Sequence, residues 1–193
     1  MNLPPIILAS ASPRRSALLG DLGLAFTVVP SDAEELHNEN LTAMELCQVN
    51  AYRKARAVAK MHPDCLVLGA DTLVVLGTKL FGKPSSQEDA RRMLTELQWR
   101  THQAVTGVCL IHQRSHRQKI FAEQTDVTFR PLSEEQIQRY LAAVHTLDKA
   151  GAYAIQEQGN EIVESISGSF SNVVGLPVER LKRELEEWGK GAG

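Results

Sequence analysis

Ile6-Ile7-Leu8-Ala9-Ser10-Ala11-Ser12-Pro13-Arg14-Arg15 reads as a short buried strand that runs through a turn straight into a helix. Ser12 is a good N-cap and Pro13 a good first helical residue. Arg14 and Arg15 then fall in the first turn, where unpaired backbone N–H groups and the positive end of the helix dipole already favour an anion. Two cations at that place oppose the helix. The conflict is relieved if the missing partner is a phosphate, which arginine grips through two parallel bonds. The plainer alternative is a pair of solvated arginines on a surface helix.

Working outward, the helix spans 13–22, with Leu18, Leu19 and Leu22 on one face, and stops near Gly20 or Gly23. Ala25 to Val29 is a strand, and Ser31 to Asn40 a polar, acidic loop carrying Glu34 and Glu35. A helix from about Thr42 to Met61 turns Leu46, Val49, Ala57 and Val58 inward, and Pro63 closes it. Cys65 to Thr72 is a nearly unbroken apolar run ending in a polar pair, as expected of a central strand buried on both faces. Leu73 to Leu76 extends it or hairpins back. Gly82-Lys83-Pro84 is a turn. A Ser85–Glu88 capping box opens a helix that buries Ala90, Met93, Leu94 and Leu97.

Ala104 to Ile111 and Lys119 to Phe129 form a long antiparallel pair joined by a basic loop. Ser133 caps a helix with Ile137, Tyr140 and Leu141 inward. Asp148 to Gln156 is rich in Gly and Ala, Ile162 to Ile166 a strand, 168–175 a loop, and Pro177 to Trp188 an amphipathic helix through Leu181 and Leu185. The last four or five residues read as frayed. Strands and helices mix without strict alternation, so the expected class is α/β of mixed type. Its central sheet is mixed, partly antiparallel, and flanked by helices, in a single domain over 1–193.

With 43% hydrophobic and 23% charged residues in 193, the chain has the make-up of an ordinary globule. A net charge of −2 provides no broad field for nucleic acid or an acidic membrane, so any anion site must be local. Cys47, Cys65 and Cys109 are odd in number and far apart, which points to reduced thiols in a cytoplasmic protein. Met1 to Pro5 lacks the pattern of a signal peptide, and the apolar stretch from Leu66 to Leu76 is short and interrupted by Asp71. No membrane or nucleic-acid partner is expected.

Four polar clusters lie at element ends: Ser10 to Arg15, Asp71-Thr72, Gly82-Lys83-Pro84 and Asp148 to Gln156. A carboxylate just beyond an apolar strand, as at Asp71, is able to bind a divalent metal or take a proton from water. Its plainer reading is a turn or N-cap Asp. Lys83 before Pro84 aims an ammonium from a rigid turn, and Lys54 sits among small residues of its helix; both also read as solvated lysines. His112 and His116 fall in a hairpin loop beside Arg114 and Arg117, which argues against a metal role. Trp99 and Trp188 read as packing residues. Cations for a polyphosphate and carboxylates for a metal are the parts needed for metal-assisted attack on a phosphoanhydride.

Six segments together resemble the Maf nucleotide pyrophosphatases: Leu8 to Arg15, Lys54-Ala55, Gly69-Ala70-Asp71-Thr72, Gly82-Lys83-Pro84, Thr101 to Gly107, and Asp148 to Gln156. They occur in the family's order and span essentially the whole chain. The resemblance implies a Maf/ITPase-like fold with an active-site cleft, and hydrolysis of nucleoside triphosphates to monophosphate and pyrophosphate with a divalent cation (Mg, Mn or Co). It assigns Asp71 as proton acceptor, and Arg14, Thr72 and Gln156 to substrate choice. It matches Ser10, Arg15, Glu35, Lys54 and Lys83 to polar positions of the cleft; the chemistry of the residues then gives Arg14, Arg15, Lys54 and Lys83, with Ser10, to the phosphates and Asp71, alone or with Glu35, to the metal. The Asp-Thr pair and the Asp-Lys-Ala-Gly-Ala-Tyr run resemble the branch acting on dTTP and UTP. Glu157 follows Gln156 where many members have Gly. A homodimer is implied. Two other readings stand beside this one: a nucleotide-binding regulator without turnover, and an interaction protein of cell division.

Overall fold

A computed structural model describes residues 3–38 and 40–190, so the reading of frayed terminal residues falls, for 191–193, outside the described residues. The chain forms two compact units with interleaved sequence. The first comprises 1–71, 106–123 and 175–193, the second 72–105 and 124–174. Strand pairing follows the order β2-β1-β3-β5-β6-β7, with β4 added to β3. The parallel and antiparallel pairs together make the expected mixed α/β sheet.

In the first unit, β1 (Ile6–Leu8) pairs in parallel with β2 (Phe26–Val28) and with β3 (Leu66–Leu76). Side-chain alternation divides the burial. Leu8, Leu66, Leu68 and Ala70 face one way, together with Leu19 of α1 (Pro13–Gly20) and with Leu181, Leu185 and Trp188 of α7 (Val178–Lys190). Ile7, Ala9 and Val67 face the other way, against Ala51, Ala55, Val58 and Ala59 of α2 (Ala43–Met61). The buried face of α2 is therefore built of small residues, and Val49 and Ala57, expected inward, are only half-buried. Thr42 and Glu45 close a capping box at its start. The Arg117 guanidinium stacks 4.4 Å from the Trp188 ring and donates to the Trp188 carbonyl, fastening α7 to β6 (Arg117–Phe129).

In the second unit, β3 continues through Leu76 before β4 (Lys79–Phe81) turns back, so Leu73 to Leu76 extends the strand, and Asp71, expected at its exit, lies in its middle because the apolar run resumes after the polar pair. β5 (Thr101–His112) begins here, and β6 ends here against β7 (Val163–Ser167). A core of Val74, Phe81, Leu94, Leu97, Phe129, Ile137 and Tyr140 packs α3 (Gln87–Leu97) with α4 (Glu134–Ala143). The cap of α3 is one residue later than expected: Ser86, not Ser85, accepts the Asp89 N–H. The Asp89 carboxylate takes the Ser85 N–H at 2.9 Å, which makes Ser85 an outside residue. Two short helices occur that the sequence reading left out, α5 (Gly159–Ile162) and α6 (Phe170–Val174), the latter inside the expected loop. Trp99 is not a packing residue. It stands at φ +55° just beyond α3 and is 74% exposed, because the left-handed turn that brings its N–H to the Arg130 carbonyl carries its ring outward. Among the described residues no helix is long and apolar enough to cross a membrane.

Candidate active site

Two glycines set the site in the first unit. A Cβ on Gly107 would lie 2.3 Å from the backbone carbon of Cys47, and one on Gly69 would lie 2.4 Å from the Ala51 oxygen. Helix α2 therefore rests backbone to backbone on β3 and β5, with Cys47, Ala51 and Ala55 as its seam. Residues 50 and 54 form the neighbouring ridge. Asp71 shares the face of Gly69 two residues on, so close docking is what brings the α2 side chains within bonding distance of it.

Lys54 Nζ lies 2.7 Å from Asp71 Oδ1 and 2.7 Å from Glu35 Oε1. The ammonium is mostly enclosed and Asp71 is only 5% exposed. Asn50 Nδ2 donates to the other Asp71 oxygen, Oδ2, at 3.3 Å. Arg15 reaches the same stretch of β3. Its Nη1 donates to the Ala70 carbonyl at 3.0 Å and to Ser10 Oγ at 3.3 Å, and its Nε to the Gly175 carbonyl at 2.8 Å. Burial lowers the Arg15 pKa from its ordinary value, and the Asp71 charge opposes that shift. Ser12 holds the N-cap position without a side-chain cap bond, and its N–H donates instead to Ser10 Oγ at 3.2 Å. The first turn of α1 thus leaves Arg14 half-buried beside an arginine turned toward the middle of β3.

The structure therefore brings together Glu35, Lys54 and Asp71 through direct bonds, and Ser10 with Arg15 beside them through the Ala70 carbonyl, with Arg14 next to Arg15. Thr72, Lys83 and Gln156 belong to the second unit. There the turn 82–84 and the run 148–156 meet, since the Gly151 N–H donates to the Gly82 carbonyl at 3.1 Å. Gly151 has φ +70°, and a Cβ there would touch Val74 at 3.0 Å. The run is anchored from below. The Tyr140 hydroxyl donates to the Ala154 carbonyl and accepts its N–H, and Lys149 bonds the His145 carbonyl and the Asp148 carboxylate, with Glu157 Oε1 3.4 Å away. Lys83 and Gln156 are both exposed.

The sequence reading did not single out Asn50 or the role of His102. An Asn inside an amphipathic helix has no pattern that marks it. His102 is 1% exposed, with its ring nitrogen Nε2 3.1 Å from the Tyr153 hydroxyl and its ring edge-on to Phe129. Desolvation pulls its pKa down to about 4 from 6.5. In the unfolded chain His102 titrates at its ordinary value, so between pH 6.5 and 4 the unfolded state binds more protons. Its contribution is complete above pH 6.5 and lost as pH falls toward 4, by up to about 3 kcal/mol. Urea unfolding at pH 7.5 and 5 is expected to show this loss, and His102→Gln to flatten it.

Glu35 and Asp71 present oxygens to a single point of positive charge, the Lys54 ammonium. Among the described residues no three of His, Cys, Asp and Glu gather as a metal cage. Two carboxylates are the protein share that a hard divalent cation takes when phosphate oxygens and water complete its shell. The chemistry of this pair fits such an ion.

The model of the Maf family, described as Maf-like protein, matches residues 5–188. A protein of Akkermansia muciniphila named dTTP/UTP pyrophosphatase is 45% identical, over 97% of this chain and 98% of its own length. Proteins of the same name from Desulforamulus reducens and Bacillus velezensis are each 44% identical, over 96% and 95% of this chain and over 97% and 96% of their own. In fold, the chain is similar to a solved HAM1 protein from Coxiella burnetii, with a TM-score of 0.51 at 18% identity over 96% of this chain and 100% of that one. The match takes in the arginine turn, the carboxylate within β3 and the run ending in Gln156, and it places the chain in the Maf family.

Proposed function

We propose that this chain is a nucleoside triphosphate pyrophosphatase that converts dTTP and UTP to the monophosphate and pyrophosphate with a divalent cation. The observation that carries the reading is Lys54 held between the Asp71 and Glu35 carboxylates beside the middle of β3, with Arg15 bonded to the same strand at Ala70. The similar proteins named dTTP/UTP pyrophosphatase support the substrate class.

In this reading Asp71, nearly buried and held through both oxygens, takes the proton of the water that attacks the α-phosphorus. Lys54 and Lys83, with Arg14, hold the triphosphate, and their charge offsets what develops on the leaving pyrophosphate. Arg15 adds charge and fixes the Ala70–Asp71 stretch of β3 through the Ala70 carbonyl, and Ser10 supplies a hydroxyl beside it. Magnesium, manganese or cobalt, held by Asp71 and Glu35, would supply Lewis-acid polarisation of phosphate oxygens. The protein acts in the cytoplasm on the free nucleotide, as a homodimer and without nucleic-acid or membrane partners.

Uracil and thymine offer N3–H as donor and O4 as acceptor, and the Gln156 amide has one group for each. A freely turning amide would suit cytosine equally, so a fixed donor must break the tie. Arg14 and Thr72 are assigned that part. Gln156→Ala is expected to lower kcat/KM for UTP and to shrink the preference for UTP over CTP about 10-fold. The test of the function is a panel of nucleoside triphosphates with each of the three metals, scored for pyrophosphate. Nucleotide binding without pyrophosphate release would favour the regulator instead.

A further inference from the structure

Asn50 sits one turn before Lys54 on α2 and is 3% exposed. A buried amide in the middle of a helix is unfavourable unless its polar atoms are matched. Here each side of the amide is used. Oδ1 accepts the Leu36 N–H at 2.7 Å, and Nδ2 donates both to the Leu36 carbonyl at 3.1 Å and to Asp71 Oδ2 at 3.3 Å. The first two bonds grip both backbone groups of the residue next to Glu35, as a neighbouring strand would. The third reaches the Asp71 carboxylate in the middle of β3. The segment 31–38 has no helix or strand of its own, so side-chain bonds from α2 hold it, with the Arg53 guanidinium also donating to the Glu34 carbonyl at 3.1 Å.

From this geometry we infer that Asn50 is a positioning residue that clamps the Glu35 segment to Asp71 and so sets the separation of the two carboxylates around Lys54. The consequence for catalysis rests on the proposed function; the clamp itself does not. Asn50 touches neither phosphate nor metal and acts by holding Glu35, through the backbone beside it, at a set distance from Asp71. Its removal therefore lowers turnover and weakens the response to the divalent cation while sparing nucleotide affinity.

A double-mutant cycle tests this, with Asn50→Ala, Glu35→Gln and the pair, each assayed for kcat, KM for UTP and the half-saturating manganese concentration. Asn50→Ala is expected to lower kcat about 30-fold and raise the manganese requirement about 10-fold, with KM for UTP within about 3-fold. In the Glu35→Gln background the same change is expected to add less than about 3-fold. Losses that multiply, or an Asn50→Ala protein identical to wild type, overturn the inference. Should Asn50→Ala fail to fold, Asn50→Ser takes its place in the cycle. Amide exchange over 31–38 reads the clamp without turnover: it is expected to rise at least about 10-fold in Asn50→Ser, and unchanged exchange overturns the clamp. A wild-type protein that releases no pyrophosphate, yet shows the faster exchange in the variant, would sink the proposed function and leave the clamp standing.

Discussion

Asp71→Asn is expected to lower kcat for UTP about a thousand-fold while leaving the fold intact. Asn keeps the size of the side chain and an oxygen to accept the Lys54 ammonium, which also retains Glu35 2.7 Å away. What it loses is the negative charge and the ability to accept a proton from water. The signature of a proton acceptor is a large fall in kcat with a small change in KM. Circular dichroism and pyrophosphate release, measured on the same preparation, separate this from unfolding. A variant with normal turnover would remove Asp71 from the chemistry, and one that kept every cellular effect without turnover would favour the interaction protein.

Gly107→Ala and Gly69→Ala are expected to be the most destabilising single-methyl changes in the first unit. Each added carbon meets backbone of α2, at 2.3 Å from Cys47 in one case and 2.4 Å from Ala51 in the other, and backbone does not yield as a flexible side chain does. Overpacking of this kind costs about 3 kcal/mol. Gly69→Ala carries a second consequence. If the helix is levered off β3, Lys54 and Asn50 retreat from Asp71, so activity falls further than the stability loss alone accounts for. Urea midpoints measure the first effect. Residual kcat, measured at a temperature where the variant remains folded, measures the second. A Gly20→Ala control, where a Cβ meets nothing within 4 Å, is expected to be near neutral.

The elements that were legible from sequence are those whose signals agree with one another. The turn into α1 has its proline and serine where a helix starts, and β3 has a long apolar run. The cap of α3 was misplaced because two neighbouring serines both have an acid three residues on, Ser85 with Glu88 and Ser86 with Asp89. Only the route of the Ser85 N–H to the Asp89 carboxylate decides between them. α5 and α6 are shorter than two helical turns, so no apolar period develops in them. Val49 and Ala57 looked like core by size and period, but close approach of two backbones leaves the seam to Cys47, Ala51 and Ala55.

The candidate site divides in the same way. Asp71 was legible because a charge that interrupts an apolar run is a visible break in pattern, although the run resumes at Leu73 and leaves it inside β3 rather than at its exit. Glu35, in an acidic loop, gained weight only from the family resemblance, and the structure shows why it meets Asp71: Lys54 lies between them and Asn50 holds the backbone beside it. Asn50 itself had no local mark, since its value comes from bonds to residues 14 and 21 positions away. His102 was noted only within a motif. Its burial depends on Phe129 and Tyr153, both distant in the chain.

Hydrolysis of UTP in water enriched in oxygen-18, followed by mass analysis of both products, follows the attacking oxygen itself. If a water activated at Asp71 attacks the α-phosphorus, the heavy oxygen appears in UMP and the pyrophosphate stays light. Label in the pyrophosphate, or release of orthophosphate with UDP, would contradict the account.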